Sequence, residues 1–136
     1  MSPPAGFMGC VAVESPYAQR APFTVDDHVC YARLCMADAL NRGEAPFLSH
    51  LLYTQCLQDT VPDQRAKGMA AGLALSQKLD FAAAYIDLGV SSGMAAAFAH
   101  YREIGFRCEL RRLFTPQIGE ALRAGRMTLK KAGELQ

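Results

Sequence analysis

A run of apolar residues at 81–86 ends abruptly in Asp87, and a short segment rich in Gly and Ser separates it from an alanine-rich stretch at 95–101. This order is typical of a buried strand, a tight loop and the N-terminus of a helix. Such a loop brings backbone N–H groups and hydroxyls to one point, where they suit a phosphate or another anion. A second polar strand end follows residues 11–13, so the sequence predicts one ligand cleft built from two strand ends.

Segments with strand-like and helix-like patterns alternate along the chain. Strands are predicted at residues 7–13, 45–48, 81–87 and 106–113. Helices are predicted at residues 24–41, 60–79 and 92–105, with a short helix from about residue 49 and a last helix from residue 115. This alternation predicts an α/β sandwich with a mostly parallel sheet. We expect a single domain over residues 1–136, with its core at about 7–114 and a C-terminal helical extension at 115–136.

The last predicted strand alternates apolar and charged residues, which is typical of an edge strand with one solvated face. Its apolar members are expected to face the core and its charged members to face water; the former are Phe106, Cys108 and Leu110, and the latter are Arg107, Glu109 and Arg111. Alternatively, Arg111 and Arg112 reach a phosphate or a partner subunit.

Composition narrows the class of protein. Hydrophobic residues make up 51% of the 136, and a formal net charge of +1 gives no support for binding duplex nucleic acid or an anionic membrane. No apolar run reaches the roughly 18 residues of a membrane span, and residues 1–6 lack the features of a signal peptide, so a cytoplasmic protein is expected. Five cysteines without a CxxC pair and three scattered histidines predict no metal site, and no cofactor is expected.

The carboxyl ends of the predicted strands carry polar residues from which a site could be built, because ligands of parallel α/β sheets bind at that edge. The predicted ligand-binding residues are Ser15, Tyr17, Ser49, His50, Asp87, Gly89, Ser91, Ser92, Gly93 and Met94. Asp87 either contacts a ligand, as a hydroxyl acceptor or a base, or caps the following loop. His50 is either a general acid near neutral pH or a side chain bonded to the backbone. Glu14 is either a catalytic carboxylate or a solvated loop residue.

Three segments carry a family resemblance: Ser15-Pro16-Tyr17, residues 43–52 (GEAPFLSHLL) and residues 87–94 (DLGVSSGM). They resemble the GPY-type turn, the G-x-x-P-F-x-P-H segment and the S-x-G-x-x-x-E loop of the nucleoside 2-deoxyribosyltransferase-like superfamily. More narrowly, they resemble a small branch of that superfamily found in bacteria and phages, with the pattern ESPY, GEAPF-SHLLY and D-G-S-GM. The resemblance covers about residues 11–113.

The resemblance implies a flavodoxin- or Rossmann-like three-layer sandwich with a sheet of four to five strands, and a homodimer or higher homo-oligomer. It also implies a nucleoside or nucleotide ligand whose N-glycosidic bond is cleaved or transferred. In the family a helix glutamate attacks the anomeric carbon, an aspartate and the turn tyrosine position the sugar, and the loop serine helps hold a phosphate. Carried over, the tyrosine is Tyr17, the serine is Ser91, and the aspartate is Asp80 or Asp87.

The family's glutamate position falls on Ala97, whose methyl group cannot act as a nucleophile or a base. Two hypotheses follow. In the first, another carboxylate has taken the role, and the expected catalytic residues are Asp87, Glu14 and Tyr17. In the second, the protein binds or sequesters a nucleotide without cleaving it, for example a signalling nucleotide of phage–host conflict.

The small residues of the helix at 69–74 predict close packing, either on the sheet or at a dimer interface.

Overall fold

A computed structural model describes Gly6 and residues 8–135, so the predicted strand start at residue 7 lies outside the described part. The strands are β1 (Cys10–Glu14), β2 (Ala45–Phe47), β3 (Phe81–Tyr85) and β4 (Cys108–Arg111). The helices are α1 (Val25–Asn41), α2 (Ser49–Leu52), α3 (Pro62–Ser76), α4 (Ser92–Ile104), α5 (Pro116–Arg123) and α6 (Leu129–Glu134), and a 3₁₀ turn (Tyr53–Gln55) follows α2.

The four strands form one parallel sheet in the order β2-β1-β3-β4. The chain moves outward from β1 to β2, and then crosses back to β3 and β4 on the other side of β1. The strand order therefore reverses between β1 and β3, and this switch point opens a crevice at the carboxyl ends of these strands. The predicted α/β sandwich of the flavodoxin/Rossmann-like kind is confirmed, with four strands described.

Helices pack on both faces of the sheet, because the central strands are apolar on both sides. One face carries the larger core cluster, in which Val11, Val13 and Tyr85 meet buried residues of α1, α5 and α6. The other face is lined by the small side chains of Ala12 and Ala82, against which α4 packs through Ala97 and Tyr101. These alanines let α4 approach the sheet closely.

Capping residues set the ends of the helices that flank the crevice. Thr24 and Asp27 form a reciprocal capping box at the start of α1. The Ser91 hydroxyl accepts a hydrogen bond from the Met94 N–H at 3.2 Å at the start of α4, and Gly105 ends α4 with a φ of 69°. These two helices begin and end within a residue of their predicted bounds, whereas α3 ends at Ser76, before the predicted residue 79.

The prediction for the two faces of β4 holds for Phe106 and Cys108, which pack against the cluster that contains Ala12 and Ala82, but it is wrong for the last two residues. Leu110 is 62% exposed, whereas Arg111 is 6% exposed and lies on the face of the larger core cluster. The Arg111 guanidinium donates to both carboxylate oxygens of Glu44, at 2.8 and 2.6 Å, and lies 5.7 Å from the ring centres of Phe81 and Tyr85. Glu44, which lies just before β2, thus neutralises the charge of Arg111, which would be costly to bury alone.

The C-terminal segment belongs to the same core. Leu122 in α5 and Ala132 in α6 are fully buried and join the larger cluster. The core therefore extends beyond the boundary predicted at residue 114. Within Gly6 and residues 8–135, no helix is long and apolar enough to cross a membrane.

Candidate functional site

A cleft of about 670 Å³, including its open mouth, lies at the switch point between β1 and β3. We call it the main cleft; it is bounded by the end of β1, by α2 and α3, and by the first turns of α4. It brings together nine of the predicted residues, namely Glu14, Ser15, Tyr17, Ser49, His50, Ser91, Ser92, Gly93 and Met94.

Glu14 is the carboxylate at the end of β1, and it faces α4. Its Oε1 accepts a hydrogen bond of 2.6 Å from the Tyr101 hydroxyl. Burial raises the pKa of Glu14 to about 7, and the Tyr101 bond partly offsets that rise. Glu14 therefore exchanges a proton near neutral pH, as an acid–base catalyst needs to do.

Ser15 and His50 form a second polar pair in the main cleft. Ser15 Oγ and His50 Nε2 are 2.6 Å apart. Burial lowers the pKa of His50 to about 4, with a further lowering from His28. Because His50 is then uncharged at pH 7, this environment does not favour a general acid near neutral pH, and its ring pairs with a serine rather than with the backbone.

The first turn of α4 meets a guanidinium in the main cleft. A Cβ at Gly93 would lie 3.4 Å from Arg65 Nη2, so the guanidinium is within contact distance of the first turn of α4. A helix N-terminus carries partial positive charge, and Arg65 adds a full charge beside it. Arg65 Nη1 also donates a 2.8 Å hydrogen bond to Asp59 Oδ2. This end of the cleft is suited to an anionic group.

Asp87 does not line the main cleft, which corrects the expectation that it faces a ligand. It is 1% exposed, and its carboxylate accepts hydrogen bonds from the Tyr31 hydroxyl at 2.5 Å and from the backbone N–H groups of Leu113 and Phe114 at 2.9–3.1 Å. Asp87 thus ties β3 to α1 and to the segment after β4. The alternative, a structural cap, is right in kind but not in its partners, since the backbone N–H groups come from the segment after β4 rather than from the loop that follows Asp87.

Gly89 also lies outside the main cleft. It lines a neighbouring cavity beside Arg20 and Arg123, and Ser91 borders both spaces. Its φ of 95° and its N–H bond to the Ile86 carbonyl at 3.0 Å form the turn that leaves β3. The glycine therefore shapes the loop without lining the predicted site.

Sequence reasoning missed the contribution of α3 and of the loop before it. Asp59, Arg65, Met69, Gly72 and Leu73 line the main cleft, as does Ala97, the position of the family's glutamate. The small residues of α3 were the one available signal. A Cβ at Gly72 would lie 2.7 Å from Ser49 Oγ, so this glycine allows α2 and α3 to touch. The homodimer stays a prediction.

The fold and the cleft define an α/β protein with a polar pocket, lined by two carboxyl groups and one guanidinium, at the carboxyl edge of its parallel sheet. The chain belongs to the family DUF7768, a domain of unknown function, which matches residues 9–111. The match includes all four strands and every residue named above as lining the main cleft. No curated protein and no solved structure matches this chain.

Proposed function

We propose that the main cleft binds a nucleoside or a nucleoside 5′-monophosphate and cleaves or transfers its N-glycosidic bond, with Glu14 as the acid–base group. The observation that carries the proposal is the half-buried Glu14 carboxyl, bonded to Tyr101, with a pKa raised to about 7 in the wall of the main cleft. Cleavage of an N-glycosidic bond requires a proton for the departing base. A carboxyl that is partly protonated at neutral pH can supply it.

Recognition of the ligand is assigned to the two sides of the main cleft. The N-terminus of α4 and the Arg65 guanidinium favour a phosphate at one end. Tyr17, half-buried at the end of the β1 loop, is available to contact the sugar or the base. Ser15, held by His50 at 2.6 Å, adds a hydroxyl whose orientation is restricted.

Incubation with a panel of ribo- and deoxyribonucleosides and their 5′-monophosphates, followed by mass spectrometry of released base, tests this function. Glu14→Gln should lower kcat by about 10²–10⁴-fold, since general acid–base groups contribute that much. Tyr101→Phe should shift the alkaline limb of the pH profile to higher pH. In the wild type the Tyr101 hydrogen bond lowers the pKa of Glu14, so its removal raises that pKa. Glu103→Gln, at an exposed glutamate of α4, is the matched control and should leave kcat unchanged.

Released base that persists in Glu14→Gln at the wild-type rate would remove Glu14 from the mechanism. Absence of free base from every compound would contradict the enzymatic function.

A second candidate is a binding protein that retains its nucleotide intact. Ala97 favours it, because this residue is 4% exposed in the wall of the main cleft where the resembling family has its catalytic glutamate. Native mass spectrometry separates the two candidates: an intact nucleotide on the wild-type protein, with no free base after prolonged incubation, identifies a binder. Arg65→Gln should then weaken retention of a monophosphate more than that of the matching nucleoside.

A further inference from the structure

Asp59 is a second carboxylate in the main cleft, and no sequence motif singled it out. It lies in the loop that joins the 3₁₀ turn to α3. The Gln58 N–H donates to Gln64 Oε1 at 2.6 Å, and the Val61 N–H donates to the Gln58 carbonyl at 3.1 Å, so the loop is anchored on both sides of Asp59. The Arg65 bond at 2.8 Å fixes the carboxylate through Oδ2.

The other oxygen of Asp59 is the one available for chemistry. Among the described residues, Oδ1 has no hydrogen-bond partner, and the Asp59 side chain is 21% exposed at the cleft. A carboxylate that is anchored through one oxygen and open through the other is pre-oriented toward a ligand, which is the arrangement that a reacting group requires.

Glu14 and Asp59 occupy different environments in the same cleft. Glu14 is bonded to the neutral Tyr101 hydroxyl, whereas Asp59 is paired with the Arg65 guanidinium. Enzymes that cleave glycosidic bonds use two carboxyl groups with distinct roles, one as acid and one as nucleophile or base, and the environments assign the roles. Since Ala97 offers only a methyl group to the cleft, the second role falls to the carboxylate that comes from the loop.

We propose that Asp59 is the catalytic nucleophile of the cleft, in place of the carboxylate that Ala97 lacks. This inference rests on the proposed N-glycosidic function. Asp59 Oδ1 forms a bond to the anomeric carbon as the carbon–nitrogen bond breaks, and the electron pair leaves with the base, which takes a proton from Glu14. Water then attacks the anomeric carbon, gives a proton to the Glu14 carboxylate and releases Asp59, so that the net reaction is hydrolysis.

Chemical rescue with azide tests Asp59 on the nucleoside or monophosphate that the wild-type protein cleaves. Asp59→Ala should lower kcat at least 100-fold while native mass spectrometry still detects the bound substrate. Sodium azide should restore release of base, because the azide ion attacks the anomeric carbon in the space of the missing carboxylate. The product is then a glycosyl azide, detected by its mass, which a residue with a merely structural role would not yield.

Two further variants complete the test of Asp59, one as an alternative substitution and one as a control. Asp59→Asn keeps a hydrogen-bond acceptor for Arg65 and should also lose turnover without losing substrate, which covers the case in which Asp59→Ala does not fold. Asp63→Asn, at an exposed aspartate in the first turn of α3, is the matched control and should cleave like the wild type.

The outcomes separate the two proposals. If the wild type cleaves its substrate and Asp59→Asn keeps the wild-type kcat, or if azide yields no glycosyl azide from Asp59→Ala, then the assignment of Asp59 is overturned while the N-glycosidic function stands. If the wild type releases no base from any compound, the proposed function itself is overturned, and the role of Asp59 with it.

Discussion

The Tyr101 hydroxyl donates a hydrogen bond of 2.6 Å to Oε1 of Glu14 and so connects α4 to the end of the central strand β1. The bond connects a proton-exchanging carboxyl to the small-residue face of the sheet, where Ala12 and Ala82 leave room for the tyrosine ring. Stability and protonation are therefore linked at this one contact, because burial that raises the pKa of Glu14 also makes its charged form costly.

The first prediction concerns the pH dependence of stability. The folded protein keeps the Glu14 proton up to about pH 7, whereas the unfolded chain releases it near pH 4.5, the ordinary value for a glutamate in water. The unfolded state therefore binds fewer protons between these values, and this group makes the free energy of unfolding fall as the pH rises from 4.5 to 7. The loss amounts to about 3.5 kcal/mol at most, since the pKa rises from 4.5 to about 7 and one pKa unit corresponds to about 1.4 kcal/mol.

Urea denaturation of the wild type and of Glu14→Gln at pH 5 and pH 8 measures this effect. The uncharged glutamine should remove the Glu14 contribution, so the variant gains stability relative to the wild type as the pH rises. Glu103→Gln should keep the wild-type pH dependence. Parallel curves for Glu14→Gln and the wild type would contradict the raised pKa.

The second prediction concerns Asp87→Asn. The amide places an NH₂ group where the carboxylate now accepts bonds from the Tyr31 hydroxyl and the N–H groups of Leu113 and Phe114, so at least one buried donor loses its acceptor. We expect a loss on the order of 3 kcal/mol in the free energy of unfolding, as is usual for bonds to a buried charged group. Denaturant unfolding at pH 7 measures it.

The same variant tests the structural role of Asp87 against a catalytic one. Affinity for the ligand of the main cleft, measured on the folded fraction at low temperature, should be unchanged. Wild-type stability combined with lost binding or lost turnover would show instead that Asp87 contacts the ligand.

The third prediction concerns the buried ion pair of Arg111 and Glu44, whose side chains are 4% and 6% exposed. Arg111→Met leaves the Glu44 carboxylate buried without its partner and should cost about 3–5 kcal/mol. The double variant Arg111→Met with Glu44→Leu should recover much of that loss, because it removes both desolvated charges. It also removes Arg111 Nε, a buried donor that has no hydrogen-bond partner among the described residues.

A double-mutant cycle by urea denaturation quantifies the coupling between Arg111 and Glu44. Additive losses from the two single variants would mean that the pair makes no specific contribution, and that Arg111 acts mainly through its packing on Phe81 and Tyr85.

The fourth prediction concerns Gly72→Ala. An alanine within a helix is ordinarily more stable than a glycine by about 0.5–1 kcal/mol. Here the new Cβ would lie 2.7 Å from Ser49 Oγ and 2.8 Å from Ser49 Cβ, so α2 and α3 would have to separate. We expect a net loss of about 1–3 kcal/mol, as for other overpacked sites, together with weaker ligand binding.

Gly133→Ala is the matched control for the fourth prediction, because a Cβ at this α6 position would have no atom within 4 Å. Thermal unfolding of the two variants should move in opposite directions. If Gly72→Ala is as stable as Gly133→Ala, the close approach of α2 and α3 is not required.

Local chemistry predicted much of the fold. Ser91 and Gly105 marked the ends of α4, and the apolar run before Asp87 marked β3, because caps and buried strands are decided by neighbouring residues in the sequence. The parallel sheet followed from the alternation of such segments. Most of the predicted cleft residues also lie together, since the carboxyl ends of parallel strands meet at one edge.

Three features could not be predicted this way, because they depend on partners distant in the sequence. Leu110 is exposed and Arg111 is buried, the reverse of what the alternation of apolar and charged residues predicts. Arg111 can be buried because it pairs with Glu44, which is 67 positions away in the sequence. The Asp87 carboxylate accepts hydrogen bonds from the Tyr31 hydroxyl of α1 and from the Phe114 N–H in the segment after β4. Arg65 of α3 lies beside Gly93 in the first turn of α4, a contact between two helices that are separate in the sequence.

By itself the sequence thus determined the elements, their order and the sheet edge at which the main cleft lies, since these depend on local pattern and capping. The tertiary structure decided which carboxylates line the main cleft. Asp87 is held inside the fold by the Tyr31 hydroxyl, whereas Glu14 lies against Tyr101 and Asp59 against Arg65 in the wall of the cleft. The physical reason is that the protonation and reach of a carboxylate depend on its burial and on the donors around it, and the folded chain supplies both.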